Sequence, residues 1–151
     1  MGNAKGMPKP MLSNSKLSKF DYVQLSDPTY FRSIMGALQY VTLIRPEMSF
    51  SINKVCQFLA QPLEDHWKAV KRIMRYLSGT LHHGLLIQPA PVHQPLSLIG
   101  FFDADWAADP DDRMSTSGAC VYLGPNLMSW WSKKQPLVAR STSEVEYKSL
   151  A

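Results

Sequence analysis

The chain of 151 residues has little cysteine, no long apolar run and no signal for secretion. Its two cysteines, Cys56 and Cys120, show no Cys-x-x-Cys or Cys/His spacing, so we expect buried free thiols rather than a zinc site. The histidines share no metal-ligand spacing. No run of about 18 apolar residues could span a membrane, and no apolar stretch follows the first lysines as in a signal peptide. We therefore expect an intracellular protein with no membrane partner and no small-molecule cofactor.

Charge is present but unevenly distributed. Residues 1–100 carry 11 Lys/Arg against 5 Asp/Glu, whereas residues 101–151 carry 5 against 7, which gives a net charge of +4. A basic first part followed by an acidic second part is typical of a nucleic-acid contact surface beside a metal-binding acidic cluster. A mildly basic protein without such partners would have the same balance. The hydrophobic content of 45% is sufficient for a folded core.

The first half of the chain predicts a lead-in followed by helices. Residues 1–26 are rich in Ser, Lys, Pro, Gly and Asn, which predicts an extended or disordered lead-in. Residues 27–80 show apolar positions at helical spacing, interrupted by proline and glycine signals. The helices predicted from these signals cover residues 28–43, 46–61 and 63–79.

The third predicted helix carries a group of basic residues that lie largely off its apolar stripe. They are Lys68, Lys71, Arg72 and Arg75. Such a group predicts a face that contacts nucleic-acid phosphates. An ordinary solvated helix surface would have the same pattern, and four charges do not decide between the two interpretations.

From residue 84 onward the apolar pattern changes to one typical of strands. Strands are predicted over residues 84–88, 96–102, 117–123 and 127–132, with a proline-rich loop at 89–95 and a polar loop at 107–115. A helix begins near Thr142 or Ser143. The fold class is therefore α+β: three helices, then a three-stranded antiparallel meander and the start of a helix.

Two pairs of carboxylates occupy positions suited to a metal site. Asp103 and Asp105 come at the end of a predicted strand, and Glu144 and Glu146 come in the first turn of the last helix. Mg²⁺ prefers oxygen ligands and usually takes one or two carboxylates from protein. Glu146 also has a purely structural interpretation, because Ser143 followed by Glu146 fits a helix capping box.

Several blocks of the sequence closely resemble the polyprotein of copia-type LTR retrotransposons. The blocks cover residues 30–40, 42–47, 66–77, 103–107, 111–118, 129–135 and 141–147. Among them are DADWA at residues 103–107 and STSEVEY at residues 141–147. The resemblance extends over about residues 5–151 in the order of the family.

The resemblance implies the end of a reverse transcriptase, a helical connection over residues 27–80 and the N-terminal part of an RNase H-like domain over residues 84–151. Members of the family hydrolyse the RNA strand of an RNA–DNA hybrid with two metal ions held by four acidic residues. By position, Asp103 and Glu146 are implied as Mg²⁺ ligands, with Asp105 as a substitute. The other two acidic residues, and the paired aspartates of the polymerase site, have no counterpart in the sequence.

Three hypotheses follow for the function. The first is a catalytically inactive fragment of a copia-type polyprotein, for which we expect no useful hydrolysis. The second is a module that binds an RNA–DNA hybrid or another nucleic acid through the basic residues of the third helix together with Lys133 and Lys134. The third is a metal-dependent RNase H that another chain completes.

Overall fold

A computed structural model describes residues 6–12, 15–20, 23–89 and 95–150. The protein is α+β and divides into two compact units, Met1–His83 and Gly84–Ala151. Within the described ranges, no helix is both long and apolar enough to cross a membrane.

The described part of the first unit contains three α-helices and a 3₁₀ turn. They are α1 (Pro28–Val41), the 3₁₀ turn Pro46–Met48, α2 (Ser49–Cys56) and α3 (Glu64–Gly79). Helix α1 begins as predicted, because Oδ1 of Asp27 accepts the backbone N–H of Tyr30 at 2.8 Å and Pro28 occupies the first helical position. Helix α2 ends earlier than predicted.

The side chain of Arg32 stabilises the segment that follows α2. Its guanidinium donates to the carbonyl oxygens of Leu59 and Ala60 at 2.9 and 3.1 Å. These bonds satisfy carbonyl groups that a continuing helix would have bonded internally. Residues 57–61, which the sequence predicted as the last turn of this helix, instead form turns. The side chain of Arg32 in α1 holds them in place.

The core of the first unit forms where the apolar stripe of α3 meets the other two helices. The fully buried side chains in this core include Phe31, Met35, Ile52, Val55, Val70 and Ile73. Removing a side chain of this size from water contributes about 1.5–3 kcal/mol. With its apolar stripe buried, α3 directs its basic residues away from the core.

The lead-in segment, defined here as residues 6–12 and 15–20, packs against this helical unit. It contains no helix or strand, in agreement with an extended chain. Leu17, however, is 6% exposed and belongs to the core, and Met7 and Met11 pack against that core. A Cβ atom added to Gly79 would lie only 3.2 Å from Cα of Gly6, so the lead-in passes very close to the end of α3.

His66 fastens the lead-in segment at the other end of α3. Its side chain is 1% exposed, its Nδ1 accepts the backbone N–H of Leu63 at 3.0 Å, and its Nε2 lies 3.0 Å from the carbonyl oxygen of Ser18. The imidazole also stacks on Phe58, with 3.9 Å between the ring centroids. His66 is therefore a structural residue in the first turn of α3.

The described part of the second unit contains a three-stranded antiparallel sheet in the order β1-β2-β3, followed by a helix. The elements are β1 (Leu98–Asp105), β2 (Thr116–Leu123), β3 (Asn126–Lys134) and α4 (Thr142–Leu150). Gly124, with φ +56°, forms the tight turn between β2 and β3. This meander and helix agree with the predicted order of elements.

The strand predicted over residues 84–88 is wrong. The backbone N–H of Gln88 donates to Oδ1 of Asn126 at 2.7 Å, and Nδ2 of Asn126 donates to the carbonyl oxygen of Gln88 at 2.8 Å. One side-chain amide thus supplies the donor and the acceptor that a neighbouring strand would have supplied. The apolar alternation predicts extended backbone but not the identity of its hydrogen-bond partner.

Gln135 connects helix α4 to one face of the sheet. Its buried Nε2 donates to Oγ of Ser117 at 2.7 Å and to the carbonyl oxygen of Val145 at 3.2 Å. Directly opposed residues of antiparallel strands point to the same face, and Ser117 is opposite Ala104. The face that carries Ser117, Ala104 and Phe102 is therefore the face covered by α4.

A buried ion cluster holds the loop between β1 and β2. Nζ of Lys134 lies 2.5 Å from Oδ2 of Asp109 and 2.7 Å from Oδ2 of Asp112. The Lys134 and Asp109 side chains are 17% and 3% exposed. Burial by itself would lower the pKa of Lys134, but the hydrogen bonds and charges of the two aspartates outweigh it and raise that pKa above its ordinary value.

Replacing Gly36 and Gly79 by alanine tests the packing of the lead-in segment. Gly36→Ala should raise the free energy of unfolding by about 0.5–1 kcal/mol, because alanine favours helix and the site is open. Gly79→Ala should lower it, because the new methyl group meets the backbone of Gly6. Urea unfolding measures both. An equal gain from the two changes would show that the close approach is not maintained in solution.

Replacing Lys134 tests the ion cluster. Lys134→Met should lower the free energy of unfolding of the second unit by about 3 kcal/mol, since it removes the ammonium group that pairs with the buried carboxylate of Asp109. Lys133→Met, at the exposed neighbouring position, is the matched control and should have little effect. Urea unfolding followed by tryptophan fluorescence reports the difference. Similar losses from both variants would contradict a stabilising role of the cluster.

The raised pKa of Lys134 also fixes the direction of a pH effect. Its stabilising contribution is complete below the ordinary pKa of 10.5 and is lost as pH rises through the higher pKa of the folded state. The wild-type protein should therefore lose more stability above pH 10.5 than Lys134→Met does. Parallel pH profiles for the two proteins would contradict this assignment.

Candidate metal and nucleic-acid sites

Asp103 and Asp105 lie inside β1 rather than after it. Both are exposed, and Oδ1 of Asp103 accepts the backbone N–H of Ala104 at 2.9 Å. Among the described strands, β1 pairs with β2 alone, so the two carboxylates lie on an edge strand. Because they are two residues apart, they share one face of the sheet.

Glu146 is exposed on α4, and the capping interpretation of this residue is wrong. Oγ of Ser141 accepts the backbone N–H of Glu144 at 3.2 Å, and Oε2 of Glu144 accepts the backbone N–H of Arg140 at 2.7 Å. Ser141 and Glu144 therefore stabilise the helix start, in the manner of a capping box shifted by two residues. The hydrogen bond from Lys148, followed by that from Arg140, lowers the pKa of Glu144.

The three candidate metal ligands do not form one cluster. Asp103 and Asp105 alternate with Phe102 and Ala104, so they point to the face opposite the one covered by α4. No hydrogen bond within the described ranges joins either aspartate to Glu146. In the same ranges, no group of three or more His, Cys, Asp or Glu side chains could hold a metal ion. Asp103, Asp105 and Glu146 therefore do not come together as one metal site within the described residues. Binding of Mg²⁺ by Asp103, Asp105 and Glu146 stays a prediction.

The four basic residues of α3 occupy one side of the helix, at intervals of three and four residues. Nζ of Lys68 pairs with Oδ1 of Asp65 at 2.5 Å, and both side chains are solvent-accessible. Nε of Arg72 donates to the carbonyl oxygen of Lys9 at 3.2 Å. Lys71, Arg72 and Arg75 are half-buried, since the lead-in segment covers part of this side of the helix.

The basic side of α3 and the lead-in segment together form a cleft of about 600 Å³, called here the basic cleft. Its cations are Lys16, Lys68, Lys71, Arg72 and Arg75. Sequence reasoning found four of them and missed Lys16, which lies in a segment predicted to be extended or disordered. The scattered apolar residues Met11, Leu12 and Leu17 were the only signal that this segment packs.

Lys133 and Lys134 differ in their availability to a nucleic acid. Lys133 is exposed on β3. Lys134 is largely buried, and its charge is neutralised by Asp109 and Asp112. We therefore remove Lys134 from the candidate phosphate contacts. Its partners lie 25 and 22 residues away along the chain, so no local pattern could have identified them.

Both cysteines are free and half-buried rather than fully buried as expected. Burial raises the pKa of Cys56, although a hydrogen bond from Nε2 of Gln39 to its sulfur at 3.4 Å acts in the opposite direction. A raised pKa lowers the fraction of reactive thiolate that Cys56 carries at neutral pH. Neither thiol contributes to the sites described above.

Comparison with known proteins identifies relatives along the whole chain. The chain is 45% identical over 151 residues to the retrovirus-related Pol polyprotein from transposon RE2 of Arabidopsis thaliana, and 46% identical over 151 residues to that from transposon RE1 of the same plant. Both alignments cover 100% of this chain and 10% of the relative. It is also 44% identical over 144 residues to the uncharacterized mitochondrial protein AtMg00810 of Arabidopsis thaliana, covering 95% of this chain and 58% of the relative.

The chain thus spans about a tenth of the length of the Pol polyproteins that it matches. No family model matches the chain, and no solved structure matches it significantly. The resemblance of its sequence blocks and the full-length matches to the transposon proteins agree. The chain belongs to the family of retrovirus-related Pol polyproteins of copia-type retrotransposons.

Proposed function

We propose that this chain is the reverse transcriptase/RNase H junction of a copia-type Pol polyprotein, and that by itself it binds nucleic acid without cleaving it. The order of elements carries the proposal: a helical unit, then an antiparallel β1-β2-β3 meander, then helix α4. This is the order that the family resemblance implies for a connection followed by the first part of an RNase H-like domain.

The positions of the acidic residues support the same assignment. Asp103 lies on the first strand of the sheet and Glu146 on the helix that follows the third strand. Because Ser141 and Glu144 stabilise the start of α4, the helix does not need Glu146 for capping. Its exposed carboxylate is therefore available for a role outside the fold.

The same geometry argues against hydrolysis by this chain alone. Two-metal hydrolysis requires one ion near the attacking oxygen and another near the leaving oxygen. Asp103 and Asp105 point to one face of β1, whereas α4, which carries Glu146, covers the other. Mg²⁺ held by the two aspartates would supply positive charge at the sheet edge, while a second ion would need further carboxylates.

Nucleic-acid binding by the first unit is supported by the charge on α3. Lys71, Arg72 and Arg75 lie on one side of the helix, with Lys16 opposite them in the basic cleft. Basic residues of this kind contact phosphates without reading sequence, and each contact releases counterions. Lys133 is a further candidate on the second unit.

A labelled RNA–DNA hybrid with Mg²⁺ or Mn²⁺ tests both parts of the proposal. We expect binding that weakens as the salt concentration rises. In a plot of the logarithm of affinity against the logarithm of salt concentration, each phosphate contact should contribute a slope of about −0.9. We expect no cleavage. Lys71→Gln and Arg72→Gln should each reduce affinity and decrease the salt slope by about one contact.

Asp103→Asn and Glu146→Gln are the matched controls for this experiment. Both remove a carboxylate that is exposed and outside the basic cleft, so hybrid binding should remain within about twofold. Metal-dependent cleavage that Asp103→Asn abolishes would overturn the proposal of inactivity. Absence of salt-sensitive binding would overturn the nucleic-acid role.

A further inference from the structure

The basic cleft has two walls that are fixed to each other. Arg72 in α3 donates to the carbonyl oxygen of Lys9 in the lead-in segment. Leu17 anchors the same segment in the core, and the backbones of Gly6 and Gly79 meet at the end of α3. The cleft is thus formed by packed chain on both sides, and its volume of about 600 Å³ falls in the range of small-ligand sites.

Positive charge dominates the cleft and selects an anion. Lys16 contributes from one wall, and Lys71, Arg72 and Arg75 contribute from the other. Among the described lining residues, the one carboxylate is that of Asp65, which pairs with Lys68 at 2.5 Å. A bound group must therefore carry negative charge, and phosphate is well suited to several cations arranged along one wall.

Apart from Ser15, the rest of the lining is apolar, which a simple phosphate site would not need. The apolar lining residues are Met7, Pro10, Met11, Leu12, Leu17 and Ala69. Thioether sulfurs make favourable contacts with aromatic rings. The cleft therefore offers an apolar floor for a flat aromatic group beside a cationic wall for the phosphates attached to it.

An unpaired nucleotide offers a flat aromatic base beside a charged phosphate. A nucleotide in a duplex does not expose the face of its base to a protein. In a duplex the bases are stacked inside and mainly the phosphate backbone faces a protein. In a single strand the base can turn outward onto a protein surface, with its phosphate close by. An apolar floor would contribute nothing to duplex binding.

We propose that the basic cleft binds an unpaired nucleotide of single-stranded RNA or DNA, and that it prefers a single strand to a duplex. This rests on the proposed nucleic-acid role of the first unit and specifies the form of its ligand. The base lies against Met7, Met11 and Leu12, and the adjoining phosphates contact Lys71, Arg72 and Arg75. The site does not select sequence, because any base offers a flat apolar surface.

Fluorescence anisotropy on the full chain tests the preference. The probes are a labelled single strand of mixed sequence and the RNA–DNA hybrid of equal length, each measured at two salt concentrations. The single strand should bind about tenfold more tightly, because only an unpaired base can bury its flat surface against the apolar side chains of the cleft. Equal affinities, or tighter binding of the hybrid, would overturn the proposal.

Two kinds of variant distinguish the contribution of the apolar floor to binding from that of the cationic wall. Met11→Ser should lower affinity for the single strand and leave hybrid affinity unchanged. Arg75→Gln should lower both affinities and decrease both salt slopes. Leu12→Ser repeats the floor test at a side chain that is 57% exposed and whose loss does not threaten folding. Met128→Ser, on the exposed surface of β3, is the control and should change neither affinity.

The outcomes also distinguish this inference from the proposed function. Equal loss of both affinities in Leu12→Ser would show that the floor has no role specific to an unpaired base. Salt-sensitive hybrid binding without a single-strand preference would overturn the cleft assignment and leave the proposed function intact. Absence of binding to either probe would overturn both. Binding of anionic lipid vesicles, with no binding of the single strand, would assign the cleft to a lipid anion and would overturn this inference.

Discussion

The burial of the apolar stripe of α3 is the constraint on which the first unit depends. Val70 and Ile73 can leave water only if α1 and α2 cover them, and this orientation turns Lys71, Arg72 and Arg75 outward. Those cations would be fully solvated on an isolated helix. Because the lead-in segment packs beside them, they become one wall of a cleft with an apolar floor. The packing of the core thus determines the chemistry of the surface.

In the second unit, buried polar side chains connect elements that a small sheet could not hold together through apolar contacts alone. Gln135 joins β2 to α4, and Lys134 joins the end of β3 to the loop after β1. Lys134 is the last residue of β3, and Gln135 follows it directly. Among the described residues, neither Asp103 nor Asp105 is hydrogen-bonded to Glu146, so these bonds do not depend on the three carboxylates.

Local signals predicted the elements well because their causes are local. Asp27 and Pro28 mark the start of α1, and apolar spacing marks α3, since capping and helix periodicity act within a few residues. The start of α4 was predicted correctly near Thr142, but its capping residues were misassigned by two positions because Ser141 and Ser143 offer the same hydroxyl. The roles of Lys134 and Lys16 depend on partners distant in the chain, so only the folded structure reveals them. The packed lead-in escaped prediction for the same reason.

The open edge of β1 has a consequence for handling the protein. In the described part of the chain this strand has one neighbour, and Leu98, Ile99, Phe101 and Phe102 are all exposed on it. An apolar edge strand offers unpaired backbone groups that can template pairing with another molecule. Asp103 and Asp105, near the end of this strand, carry negative charges that oppose pairing between two such edges. Self-association, and with it solubility, should therefore depend on ionic strength, since salt screens the repulsion between like-charged edges.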